Sequence, residues 1–180
     1  MTQTLECPRA GVGSKVPDFR AQAVMPDGSF REIALSDYRG KWVVLFFYPL
    51  DFTFVCPTEI RGFSAKYADF QRAGAEVLSV STDSVYSHKA WIEHGLGKVN
   101  FPMLADTNHR VSRLFGVLVE DKGVALRGTF ILDPQGILKA ATVHDLEAGR
   151  SIEETYRTLQ ALQTGGLTGC GWKPGDKTLG

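Results

Sequence analysis

The stretch that decides the fold is Trp42-Val43-Val44-Leu45-Phe46-Phe47-Tyr48-Pro49-Leu50-Asp51-Phe52-Thr53-Phe54-Val55-Cys56-Pro57-Thr58-Glu59. Its first six residues are uninterruptedly apolar and β-prone, which reads as a buried strand. The residues from Glu59 onward read as a helix, with Pro57 in the first turn, where a missing N–H costs nothing. Cys56 therefore lies where a strand ends and a helix begins. Helix N-terminal N–H groups and the macrodipole favour an anion at that point, so the placement suits a thiolate nucleophile. The alternative is a buried structural cysteine, since free cysteine is among the most buried residue types. Pro49, Thr53 and Pro57 crowd the thiol at fixed offsets, which packing alone does not require. Thr53 stands three residues before Cys56, close enough for its hydroxyl to return to the thiolate or to a substrate oxygen. Pro49 is placed to shield the thiol from water.

Working outward, residues 1–40 are turn-rich, with Pro26-Asp27-Gly28 a turn between short extended pieces. A strand is expected over 41–48. A helix is expected over 59–73, where Ile60, Phe63, Tyr67 and Phe70 recur at helical spacing. A second strand is expected over 75–81. Helices follow over 84–94, with Ser84 as cap, and over 107–115. Strands at 129–133 and 137–143 are joined by the turn Pro134-Gln135-Gly136. A last helix over 151–163 opens with the capping box Ser151-Ile152-Glu153-Glu154. This order describes a layered α/β domain with both parallel and antiparallel strand pairs. Residues 164–180, rich in glycine, read as a flexible tail outside the core. The domain thus spans 1–163 and the tail 164–180.

A chain of 180 residues suffices for one domain with a full core. The formal net charge is zero, and no basic run is present. The sequence therefore argues for neither nucleic acid nor a membrane surface as partner. The N-terminus lacks the charged and apolar regions of a signal peptide, and the expected compartment is the cytoplasm. Three widely spaced cysteines do not make a disulfide framework. His88, His94, His109 and His144 show no ligand spacing with Cys56, so neither a metal nor another cofactor is expected. An acyl-transfer enzyme would need a histidine base in a local motif with Cys56, which is missing. Positions 53 and 59 are Thr and Glu, so there is no Cys-x-x-Cys of a disulfide reductase.

The run Tyr48-Pro49-Leu50-Asp51-Phe52-Thr53-Phe54-Val55-Cys56-Pro57-Thr58-Glu59 resembles the active-site signature of the typical two-cysteine peroxiredoxins, the group that includes the bacterial alkyl hydroperoxide reductase peroxidase. The similarity runs from Gly13-Ser14-Lys15-Val16-Pro17-Asp18-Phe19 to Gly171-Trp172-Lys173-Pro174-Gly175. It implies a thioredoxin-like fold and a thiol peroxidase acting on hydrogen peroxide and small organic hydroperoxides. It implies that Arg127 reaches Cys56 and stabilises thiolate and transition state. It also implies that Cys170 is the resolving thiol, condensing with the sulfenic acid of Cys56 in another subunit. Here Cys170 stands only two residues before Trp172, closer than the common pattern. Cys7 reads as incidental. Glu59 is expected to hold a cation or favour its helix, and Trp91 and Arg150 match positions around the site. The implied partners are thioredoxin or a dedicated disulfide reductase, and a second copy of the chain in a homodimer that can close into a decamer. The alternative function is an oligomeric holdase chaperone or a peroxide-signal relay.

Overall fold

A computed structural model describes residues 9–179, so Cys7 lies outside the described residues. β1 (Arg20–Val24) and β2 (Phe30–Ala34) form a hairpin about the expected turn. Asp27 fixes that turn by accepting the Ser29 N–H at 2.9 Å, and Gly28 supplies a φ of +80°. β3 (Trp42–Phe47) is the apolar run read from the sequence. It pairs in parallel with β4 (Ala75–Ser81), which pairs in parallel with β5 (Met103–Ala105). β5 joins the hairpin through β1. On the other side β3 pairs antiparallel with β8 (Arg127–Leu132), and β8 with β9 (Leu138–His144). The sheet order is β2-β1-β5-β4-β3-β8-β9. A two-residue ribbon of β6 (Leu118–Val119) and β7 (Val124–Ala125) stands apart.

A strand covered on both faces must be apolar on both, which is why β3 shows no alternation. Val43, Leu45 and Phe47 enter one core with Phe115 and Phe130. Val44, Phe46 and Tyr48 enter a second with Ile60, Phe63 and Leu159. That second core lies under α1 (Cys56–Arg72) and α4 (Ile152–Gln163). Gly62 lets the two helices approach, since a Cβ there would sit 3.0 Å from the Ile152 side chain. The expected cap of α4 is present, with Ser151 Oγ accepting the Glu154 N–H at 3.1 Å. The mixed sheet flanked by helices is the expected fold class.

Four local expectations are corrected. The helix expected over 59–73 begins earlier, with Cys56 itself as its first residue. The helix expected over 84–94 is α2 (Val85–Trp91), after which the chain widens into one π turn, Ile92–Leu96, where His94 and Gly95 leave helical angles. The helix expected over 107–115 is only α3 (Arg110–Leu114). Asp106, buried, accepts the Val111 and Ser112 N–H groups at 3.0 and 2.7 Å, so residues 106–109 form a capped turn instead. The described residues of the tail, 164–179, carry no helix or strand, yet they are not wholly outside the core. Trp172 is buried, its indole N–H donates to the Asp176 carbonyl at 3.1 Å, and its own carbonyl accepts from Arg157 at 2.9 Å.

Candidate active site

The thiol site is assembled from three elements that meet beyond the end of β3. The chain leaves β3 at Phe47, crosses residues 48–55 and re-enters order at Cys56, the first residue of α1, with Pro57 in the first turn. No side chain caps α1. The thiol therefore sits at the positive end of the helix dipole, with Glu59 the acidic residue of the same first turn. Cys56 is 0% exposed.

Arg127 opens β8, and the β3–β8 pairing carries it beside the start of α1. Its Nη1 lies 3.4 Å from Cys56 Sγ and 2.9 Å from Glu59 Oε2, while its Nε donates to the Leu146 carbonyl at 2.8 Å. On the opposite face of β8, Gly128 leaves room for the first core, since a Cβ there would lie 2.6 Å from the Phe130 ring. Glu59 Oε1 accepts from Arg150 Nε at 3.0 Å and from the Arg150 backbone N–H at 3.1 Å. Arg150 spends its remaining donors on the Gly128 carbonyl at 2.8 Å, Thr129 Oγ1 at 3.0 Å and the Phe47 carbonyl. Burial pulls the Arg150 guanidinium below its ordinary pKa, and the Glu59 carboxylate opposes that pull.

All four groups are buried. Two guanidiniums share one carboxylate, so with Cys56 as a thiol the cluster carries one uncompensated positive charge. An uncompensated charge is costly away from water, and a thiolate at Cys56 cancels it. The cluster suits an anion at sulfur, with Arg127 a preorganised donor aimed at that atom.

The expected site residues separate accordingly. Arg127 and Cys56 meet as anticipated. Glu59 and Arg150, whose roles the sequence left open, are the pair that aims Arg127. The Thr53 hydroxyl donates to the Leu50 carbonyl at 3.0 Å, in the turn where Phe52 holds a φ of +54°. Pro49 is buried at the end of β3. Trp91 is buried against the rings of Tyr48 and Phe52, with centroids 6.1 and 5.9 Å away, so it props the loop before Cys56. Cys170 is exposed and Cys56 buried, both as free thiols, so the two are not brought together. Sequence reasoning passed over Asp51 and His88, which prove to be joined under the loop; no local spacing links positions 37 apart. No cluster of three or more metal-ligating side chains occurs among the described residues. No helix there is long and apolar enough to cross a membrane.

Comparison with known proteins agrees with this chemistry. Residues 12–141 match the AhpC/TSA family. Peroxiredoxin-2 of Macaca fascicularis is 53% identical over 179 residues, covering 94% of this chain and 90% of its own. The crystal structure of reduced Plasmodium vivax 2-Cys peroxiredoxin superimposes with a TM-score of 0.90 at 37% identity, over 93% of this chain and 91% of that one. That of Enterococcus faecalis AhpC gives a TM-score of 0.84 at 43% identity, over 86% and 93%. With a family model over most of its length and relatives above half identity, the chain belongs to the AhpC/TSA family and is a peroxiredoxin, a thiol peroxidase on a thioredoxin-like fold.

Proposed function

We propose that the chain reduces hydrogen peroxide and small organic hydroperoxides by way of a sulfenic acid at Cys56 and an intersubunit disulfide to Cys170. The Cys56 thiolate attacks the near oxygen of the O–O bond. That bond breaks, sulfur is oxidised to the sulfenic acid, and the far oxygen leaves as hydroxide or alkoxide and takes up a proton. The Cys170 thiol of a second subunit then forms an S–S bond with Cys56 and expels water. Thioredoxin or a dedicated disulfide reductase supplies two electrons to restore both thiols. Residues 1–163 act as the peroxidase domain and 164–180 as the tail that presents Cys170. The working form is a homodimer that closes into a decamer, and the setting is the cytoplasm.

The observation that carries this reading is the contact of Arg127 Nη1 with Cys56 Sγ at 3.4 Å inside a buried cluster that a thiolate neutralises. The exposed thiol of Cys170, on a segment without helix or strand, supports it as the mobile partner. Because Cys56 is fully buried, the disulfide requires the first turn of α1 to open. One equivalent of peroxide, followed by mass spectrometry with and without reduction, should give a Cys56–Cys170 peptide between two chains. Cys56→Ser should abolish peroxide consumption while keeping the fold. Retained turnover in that variant would end the reading.

A further inference from the structure

Beneath the loop that carries Thr53 into Cys56 lies a buried polar network that the thiol chemistry above does not use. His88, on α2, is 0% exposed. Its Nδ1 lies 2.8 Å from Asp51 Oδ2, and its Nε2 lies 3.2 Å from the Leu104 carbonyl of β5. Both partners accept. The Tyr48 hydroxyl, 3.3 Å from Nδ1, already donates to Asp51 Oδ1 at 2.8 Å. The ring is therefore pinned at both nitrogens, by Asp51 on one side and β5 on the other. Burial and Asp51 together hold the Tyr48 phenol protonated well past its usual range, which keeps that donor in place. The Asp51 backbone N–H donates to Asp83 Oδ2 at 2.7 Å, and Ser81 Oγ reaches the same oxygen at 3.3 Å. Asp51 is thus gripped through its backbone and through both carboxylate oxygens.

The residue after it, Phe52, holds a φ of +54°, a conformation that a bulky non-glycine residue keeps only where its surroundings impose it. Trp91, one turn beyond His88 on α2, packs against the Phe52 ring at 5.9 Å. Two side chains of α2 therefore brace the loop, one polar and one aromatic. We propose that His88 is a positioning residue for Cys56: through Asp51 it holds residues 48–55 in the shape that sets the thiol under Arg127. The rate effect rests on the peroxidase reading above, whereas the geometric claim does not.

The competing role is simple packing of α2 against β5. Two substitutions separate them, because an asparagine amide nitrogen falls near the position of Nδ1 and a glutamine amide nitrogen near that of Nε2. His88→Asn keeps the bond to Asp51 and gives up Leu104; His88→Gln does the reverse. The readouts are the single-turnover rate of the reduced protein with hydrogen peroxide, amide exchange across residues 49–56, and the melting temperature. Positioning predicts that His88→Gln loses about tenfold or more in rate and exchanges faster across the loop, since small misplacements of a reacting group are costly. His88→Asn should recover most of both at a similar melting temperature. Equal rates and equal exchange in the two variants, or losses that simply track melting temperature, would overturn the proposal. If neither variant folds, Asp51→Asn and Asp51→Ala decide in the same way: the amide can accept from Tyr48 and donate to a neutral imidazole, and alanine can do neither. Exchange is measured without peroxide, so a wild type that consumed none would defeat the proposed function while the exchange contrast still decided this one.

Discussion

Arg127→Ala removes a guanidinium whose Nη1 stands 3.4 Å from Cys56 Sγ and 2.9 Å from Glu59 Oε2. At that separation, with an effective dielectric near 20, a unit charge pair is worth about 5 kcal/mol. Water entering the truncated site returns part of this. The remaining loss falls near that for removing one preorganised donor, roughly a hundred- to a thousandfold in rate. The fold should survive, because Glu59 keeps Arg150 at 3.0 Å and the Arg150 N–H at 3.1 Å. The Leu146 carbonyl loses its donor, a cost of about 1–3 kcal/mol if water does not replace it. The assay is stopped-flow fluorescence of the reduced protein with excess hydrogen peroxide. The second-order rate with peroxide should fall, while turnover at saturating peroxide, limited by the reductant, should change far less. Arg127→Lys should fall between the two, since one ammonium cannot reach sulfur, Glu59 and the Leu146 carbonyl together. A folded Arg127→Ala variant with an unchanged second-order rate would refute the role of its charge at the thiol.

Cys170→Ser should run as a monomer on a non-reducing gel after peroxide, where the wild type runs as a dimer; a dimer that persisted would point to another resolving thiol. Gly128→Ala should lower the melting temperature and slow the peroxide step, because the new Cβ would lie 2.6 Å from the Phe130 ring and 2.8 Å from Val117; overpacking of that kind costs about 1–3 kcal/mol, and an unchanged melting temperature would show that the strand yields freely. Stability should also fall in alkali. Burial raises Tyr38 from 10.0 to about 12, so between those values the unfolded chain releases a proton that the folded chain keeps, and unfolding gains with rising pH. Chemical denaturation across that window should show the decline, and Tyr38→Phe should reduce it; an identical slope in the variant would remove Tyr38 as the cause.

Residues 42–59 alone revealed the strand, the helix and the placing of the thiol between them, because an apolar run, a proline in a first turn and a dipole are local matters. The hairpin turns at Asp27-Gly28 and Pro134-Gln135-Gly136 and the Ser151 cap were legible for the same reason. β5 was not legible: three residues are too few to carry a period, and Met103–Ala105 is a strand only because β1 and β4 flank it. The late start of α3 was hidden too, since the buried Asp106 carboxylate takes the Val111 and Ser112 N–H groups, a reach that local patterning does not encode. At the site, Cys56 and Glu59 are neighbours in sequence, but Arg127 and Arg150 arrive from 71 and 91 residues away. From residue types alone Arg127 reads as an exposed charge before a strand, and only the family resemblance placed it at the thiol. Its burial is set by the β3–β8 register, and its aim by a carboxylate shared with a second arginine. The same holds for Asp51 and His88. The sequence by itself determined that a thiol would sit where β3 gives way to α1; which charges surround it, and what holds its loop in place, were decided by the sheet, because long-range pairing alone brings such residues within hydrogen-bond reach.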